Sequence, residues 1–306
     1  MGSLRVAVLS DIHGNFHALS SVLEEIELEG VNRIICAGDS TGPLMQNRVF
    51  EALIEKNVVM VRGNGENRVV SRNRGHASGY NWSQQMYAGN RWVYENLDPA
   101  YRNLLEFIPD QRVIHFENTA PIRMVHGSPQ DTRNAFGVLP ELLSDDSRKL
   151  VRVHRVKSIE DAVQGVKESV LVCGHTHRPW VHHVGDVLVV NPGSVGNPGN
   201  GDPRADYAVL SWSNGRWSVE HKVVSYDLDA VKTQFKESGI LETVGANAKT
   251  TMYCRLTGVD VALEFLLHVK KLESENSMSY IQAYSSATDS FNWGQFERVL
   301  GEEKNY

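Results

Sequence analysis

Leu4-Arg5-Val6-Ala7-Val8-Leu9, followed at once by Ser10-Asp11-Ile12-His13-Gly14-Asn15, is the stretch on which the fold turns. A hydrophobic run broken only by Arg5 is what a strand covered on both faces requires. Ala18–Glu29 then sets Leu19, Val22, Leu23 and Ile26 on one side at helical spacing. Arg33–Ala37 reads as the next strand, Val49–Glu55 as a short helix and Val58–Val61 as a third strand. That alternation implies right-handed crossovers and a largely parallel sheet. Active groups in such sheets collect beyond the carboxyl ends of the strands.

Further along, the pattern changes. Arg72–Gly79 is polar and glycine-rich and reads as a mobile loop; Trp82–Phe107 reads as helices, with Trp82 and Trp92 as core anchors. Strands resume at Arg112–Phe116, Ile122–Val125, Val170–Cys173, Val187–Val190, Tyr207–Trp212 and Trp217–Val223, the last two joined by an Asn214-Gly215 turn. Their close spacing fits two mixed sheets face to face better than one parallel sheet. After Ser225 the chain predicts helix at Leu228–Phe235, strand at Thr251–Leu256, helix at Val259–Leu272, strand at Ser279–Tyr284 and helix at Phe291–Leu300. The expected organisation is one main domain over 1–225 and a C-terminal α+β extension over 226–306.

Composition narrows the function. The 306 residues hold 31 Lys+Arg against 37 Asp+Glu, a net charge of −6, so nucleic acid and anionic lipid gain no general attraction. The apolar runs are all too short for a membrane span. Met1-Gly2-Ser3-Leu4-Arg5 enters a strand directly, leaving no room for a signal peptide. Cys36, Cys173 and Cys254 lie in apolar, strand-like surroundings, which predicts buried thiols and a cytoplasmic setting.

The chemistry-bearing residues recur at strand ends. Asp11-Ile12-His13 follows the first strand, Gly38-Asp39 the second and Gly63-Asn64-Gly65-Glu66 the third; His126-Gly127-Ser128-Pro129 and Gly174-His175-Thr176-His177 follow later ones. Taken singly, each reads more naturally as a turn or a helix cap. Two imidazoles one residue apart in extended chain point to the same side, which sharpens the last. Together, two Asp, one Asn and four His suit a pair of Zn, Mn, Fe or similar ions rather than Ca.

This ordered series resembles the calcineurin-like metallophosphoesterase superfamily over residues 4 to 225. Asn191-Pro192-Gly193-Ser194-Val195-Gly196 draws it toward the small bacterial and archaeal phosphodiesterase-type branch. The resemblance implies a four-layer α/β/β/α sandwich. It implies one metal held by Asp11, His13, Asp39 and His177, and a second held by Asp39, Asn64, His126 and His175, with Asp39 bridging. The ions would be divalent or mixed-valence Mn, Fe, Zn or Ni. The expected reaction is attack of a metal-bridging hydroxide on phosphorus in a phosphodiester or phosphoanhydride, such as a dinucleoside polyphosphate. Asp11, His13, Asp39, Asn64 and His126 are the catalytic candidates.

Many members carry His after the Gly-Asn; here that position is Gly65. Lack of a general acid worth about 10²–10⁴ in rate predicts a preference for good leaving groups. Gly14 and Asn15 could orient substrate, although Asn15 could equally cap the following helix, and Arg133 could meet substrate or stand on the surface. Arg62, Arg68, Arg72 and Arg74 form a basic cluster that reads as a solvated loop, and His182 and His183 read as exposed strand residues. The alternatives are a phosphomonoesterase or protein phosphatase, a nuclease, which the acidic balance disfavours, and a non-catalytic scaffold on the same fold. The extension could cover the site or join subunits into a homo-oligomer.

Overall fold

In strand β1 (Leu4–Leu9), Val6 and Val8 face one way and Ala7 and Leu9 the other, and all four are completely buried. A strand covered on both faces sits in the middle of a sheet. The computed structural model describes residues 4–76, 82–134, 158–294 and 298–299. In the first sheet β1 pairs in parallel with β2 (Ile34–Cys36), and β2 in parallel with β3 (Val59–Met60). On its other side β1 pairs antiparallel with β9 (Ala205–Ser213), and β9 with β10 (Arg216–Val224). The turn between the last two has positive φ at both Asn214 (51°) and Gly215 (76°), the conformation that an Asn-Gly hairpin supplies.

The second sheet has the order β4 (Gln111–Ile114), β5 (Ile122–Val125), β6 (Val170–Val172), β8 (Val187–Pro192), β7 (Pro179–Val184). Its three central strands are parallel and its two edges antiparallel. Val6, Val8 and Ile35 of one sheet pack against Met124, Val172 and Val190 of the other. Helices α1 (Phe16–Leu28) and α2 (Gln46–Glu55) cover the outer face of the first sheet through Leu19, Val22, Val49 and Leu53. The short α6 (Ile159–Val163) covers the second through Ala162 and Val163. This is the expected four-layer sandwich of two mixed sheets.

Three local readings change. Edge strand β7 is a full strand that the hydrophobic pattern does not reveal, because a half-exposed edge gives little apolar signal, although His182 and His183 are exposed strand residues as expected. Arg72 and Asn73 form the last turn of α3 (Asn64–Asn73) rather than a loop, and residues 77–79 of that expected loop lie outside the described residues. Over its described residues the extension is helical, not α+β. It runs through α7 (Leu228–Glu237), α8 (Ile240–Val244), α9 (Ala246–Thr257), α10 (Ala262–Glu275) and α11 (Tyr280–Ser290).

Both misread strands have a physical cause. In α9, Ala246, Ala248, Thr250, Met252 and Cys254 are all buried, because the helix packs into two apolar clusters; burial on several sides removes the 3.6-residue signature and leaves alternation. Cys254 is therefore buried in a helix rather than a strand. In α11 the β-forming Tyr280, Ile281 and Tyr284 are outweighed by a Ser279/Gln282 capping box. Phe291 falls beyond the end of α11, its ring against Phe265 and Trp293; residues 295–297 and 300 of the last expected helix lie outside the described residues.

Helices α7 to α9 pack against α4 (Ala88–Asn96) through Ala88, Val231, Val244 and Met252. No helix of the described residues is long and apolar enough to cross a membrane.

Candidate metal centre

Asp11 and His13 follow β1, Asp39 follows β2, Asn64 opens α3 just after β3, His126 follows β5, and His175 and His177 follow β6. All five loops emerge at carboxyl ends of parallel strands, so the two sheets deliver them to one edge of the sandwich.

Each carboxylate is fixed by one oxygen and offers the other. Asp11 Oδ2 accepts from Ser10 Oγ at 2.7 Å and from the His175 amide at 2.9 Å. Its Oδ1 is buried without a hydrogen-bond partner, 3.3 Å from His177 Nε2, 3.7 Å from His13 Nε2 and 4.0 Å from His126 Nε2. Asp39 Oδ1 accepts from the Gly65 amide at 2.7 Å, and its Oδ2 lies 3.5 Å from His126 Nε2 and 3.8 Å from His13 Nε2.

Two imidazoles have their tautomer set from behind. His126 Nδ1 donates to the Ala37 carbonyl and His177 Nδ1 to the Asn197 carbonyl, each at 2.8 Å, which leaves a lone pair on Nε2. His177 Nε2 is 3.0 Å from His13 Nε2. The inner end of the Asn64 amide lies 3.3 Å from His126 Nε2 and 2.9 Å from His175 Nδ1. With its NH₂ inward, Asn64 donates to both rings and its oxygen accepts from Arg68. With its oxygen inward, electron-rich atoms converge and only a cation reconciles them.

Without a cation the same demand for positive charge falls on protons. Burial pushes the His126 imidazolium down, but Asp39 and Asp11 overturn this and raise its pKa to about 10. Burial opposes ionisation of Asp11, yet His177 and His126 hold its pKa well below the ordinary range. An unpartnered buried carboxylate oxygen among imidazole nitrogens fits a divalent ion. Among the described residues, two groups have donor atoms close enough to hold one: Asp11, His13 and His177, and Asp11, Asp39 and His126. Asp11 is common to both groups, and Asp39 Oδ2 approaches both His126 and His13.

The backbone is bent to reach this arrangement. Asp11, His13, Asp39, His175 and His177 all have φ between 49° and 70°, a region that non-glycine residues seldom occupy. The two paired motifs are therefore not extended chain, as their spacing suggests. His177 turns to His13 and Asp11, whereas the His175 ring sits 5.2 Å from that of His126. Close approach is enforced at Gly174, where a Cβ would lie 1.9 Å from Ser10 Oγ and 2.7 Å from Asp11 Oδ2.

Asn15 is the helix cap: its Oδ1 accepts from the Ala18 amide at 3.2 Å and its Nδ2 donates to the Gly196 carbonyl at 3.1 Å. Being 2% exposed and engaged at both ends, it is not presented to substrate. Gly14 holds a left-handed turn (φ 72°) against the Gly42-Pro43 backbone. Arg133 is an exposed residue paired with Asp131 at 3.3 Å, on the rim of a cavity that Asn64 also lines.

Several supporting residues escaped the sequence reading. The Glu66 carboxylate accepts from the amides of Asp39 (2.9 Å), Thr41 (2.7 Å) and Gly63 (2.7 Å), tying two ligand loops together; its place three residues after a helix-capping glycine was the available signal. Asn191 Nδ2 donates to the Gly174 carbonyl and Ser194 Oγ to the Asp11 carbonyl, at 2.8 and 2.7 Å. Arg255 of α9, 1% exposed, donates to the His13 carbonyl from the extension; no local pattern announces it.

The profile of the calcineurin-like phosphoesterase superfamily domain matches residues 4–215. The chain belongs to the calcineurin-like phosphoesterase superfamily. Membership implies a phosphoric-ester hydrolase that uses divalent metal, in keeping with the Asp and His groups described above. Among curated relatives, phosphodiesterase YfcE of Escherichia coli K12 is 25% identical over 207 residues, 68% of this chain and 87% of that one. An uncharacterized protein of Methanocaldococcus jannaschii is 24% identical over 264 residues, 78% of this chain and 95% of that one. A metallophosphoesterase structure from Sphaerobacter thermophilus aligns over 83% of this chain and 99% of its own, with TM-score 0.60 and 20% identity. A hypothetical protein from Pyrococcus horikoshii aligns over 83% and 98%, with TM-score 0.63 and 22% identity. These two share the fold.

Proposed function

We propose that this superfamily member is a dinuclear metal-dependent phosphoesterase acting on phosphodiester or phosphoanhydride bonds. The buried, unpartnered Asp11 Oδ1 among three imidazole nitrogens carries the reading, because an ionised oxygen facing nitrogen lone pairs calls for a cation between them. Asp11, His13, Asp39 and His177 would hold one ion, and Asp39, Asn64, His126 and His175 the other. Bound ions of the Mn, Fe, Zn or Ni type supply a water of lowered pKa and positive charge facing the phosphoryl oxygens.

The chain's own residues orient that site. The Ala37 and Asn197 carbonyls hold His126 and His177 in the metal-binding tautomer, and Glu66 keeps the Asp39 and Asn64 loops in register. Gly65, at the cavity wall, brings no side-chain acid to the leaving oxygen, so aryl, nucleotidyl or phosphoryl leaving groups are favoured over alkoxides. The YfcE relative's printed name, phosphodiesterase, supports the diester over a phosphomonoester.

The test is metal content and turnover of bis(p-nitrophenyl) phosphate by wild type, Asp39→Asn and His175→Ala. The expected result is close to two ions per wild-type chain, with turnover abolished in both variants and near-native circular dichroism. Retained turnover in either variant removes the site assignment.

A further inference from the structure

Of the four clustered arginines, three are accounted for. Arg62 pairs with Asp110 at 3.1 Å, Arg74 with Glu106 at 3.2 Å, and Arg72 lies over the rings of Trp82 and Tyr94. Arg68 has no carboxylate partner among the described residues. It sits one turn after Asn64 on α3, and its Nη1 is 3.1 Å from the outer end of the Asn64 amide. With the Asn64 NH₂ inward, Arg68 donates to the outer oxygen. With the Asn64 oxygen turned inward, Arg68 faces an NH₂ and must find another acceptor.

Arg68 also borders a cavity of about 220 Å³ that has His13 and Asp39 at its inner end. Val69, Trp82 and Val93 form one wall, and Ile240, Val244 and Ala248 of the C-terminal helices form the other. The amides of Asn90 and Asn247 supply polar edges. This volume is below the roughly 300–1,000 Å³ of drug-sized sites, so it suits one ring system rather than a whole dinucleotide. Apart from Asp39, its lining contains no carboxylate to repel an anion.

We infer that this cavity is the subsite for the organic arm of the substrate, a single planar aromatic or heteroaromatic group, and that Arg68 at its inner end grips the phosphoryl oxygens. The inference rests on the phosphoesterase reading above and adds to it the class of group that is bound. It also gives the C-terminal helices a second role beside the Arg255 contact to His13: they close the specificity pocket of the site. On the other flank of Arg68, a second cavity of about 260 Å³, lined by Asn64, Asn67, Ser71, Asp131, Thr132 and Arg133, leaves room for a second substituent on phosphorus.

The experiment measures phenylphosphonate and methylphosphonate binding to the manganese-loaded protein by calorimetry. Wild type should bind the phenyl compound at least about tenfold more tightly, from burial of the ring. Asn247→Trp, at an exposed position on the rim, should fill the cavity and bring the phenyl-to-methyl affinity ratio to about one. Arg68→Met should weaken both ligands about 10–100-fold, as expected for a lost charge-assisted bond, and Arg68→Lys should recover part of the loss. Equal affinity of wild type for the two phosphonates, or unchanged binding in Arg68→Met, overturns the inference while bis(p-nitrophenyl) phosphate is still hydrolysed. If wild type hydrolyses no phosphodiester at all, the phosphoesterase reading falls and takes the inference with it.

Discussion

Gly63→Ala isolates one close contact at the centre. Gly63 has φ −94° and ψ −171°, extended backbone that alanine adopts freely, so conformational strain does not enter. The added Cβ would lie 2.1 Å from Asp39 Oδ1 and 2.5 Å from the Asp39 amide nitrogen. Ordinary carbon contacts begin near about 3.5 Å, so something must move by more than ~1 Å. The Asp39 amide cannot yield cheaply, because it and the Gly63 amide both donate to Glu66 Oε2, at 2.9 and 2.7 Å. The Asp39 carboxylate therefore swings away, breaking its 2.7 Å bond from the Gly65 amide, and the Asp39 backbone must shift against the Glu66 clasp as well. Overpacking of this kind costs about 1–3 kcal/mol, and a displacement near 1 Å at a reacting centre costs about 10²-fold in rate. Gly185→Ala is the control: its φ is +58°, but nothing lies within 4 Å, so it costs about 1 kcal/mol of backbone strain and leaves the centre alone. Guanidinium unfolding of both variants gives the stability terms at constant m, while metal content and bis(p-nitrophenyl) phosphate turnover report the centre. A Gly63→Ala protein with native metal content and turnover within twofold of wild type would refute the steric account.

Two further predictions follow from buried charges. Arg255→Met exchanges a buried guanidinium, its pKa pushed down to about 10 by burial, for an apolar stem of similar length, while the His13 carbonyl loses its donor. The two effects oppose, so global stability should stay within about 1 kcal/mol while metal affinity falls about 10–100-fold; an unchanged metal titration would show that Arg255 does not position His13. Asp206, 1% exposed, has its pKa raised from 3.8 to about 7 by burial, reinforced by Asp202. The folded state therefore binds this proton more tightly than the unfolded chain, and wild type loses stability as pH rises from about 4 to about 7. Asp206→Asn should remove that loss, its advantage growing across this window to a ceiling of about 4 kcal/mol at about 1.36 kcal/mol per pH unit. Thermal melts of both proteins at pH 4 and pH 8 check it, and a difference independent of pH would count against the buried carboxyl.

The strands were legible where one residue after another is covered. β1 reads correctly because Val6 and Val8 feed the core between the sheets while Ala7 and Leu9 feed the core beneath α1. The extension misled where that logic fails: α9 is covered on several sides, and its alternating small residues mimic a strand. The seven candidate ligands were legible as residue types at strand ends, since each lies within a few residues of a strand's carboxyl end. Their mode of convergence was not, because left-handed φ values at five of them are imposed by neighbouring loops and not by local preference.

By itself, then, the sequence determined which strands lie in the interior and which oxygen and nitrogen donors stand at their ends, because both follow from period and spacing along one chain. Only the tertiary structure decided that Glu66 clasps the Asp39 and Asn64 loops, that Arg255 reaches His13 across 242 residues, and that the C-terminal helices wall the cavity beside Arg68. Those contacts join segments far apart in the chain, and a periodicity read along the backbone carries no record of what folds back against it.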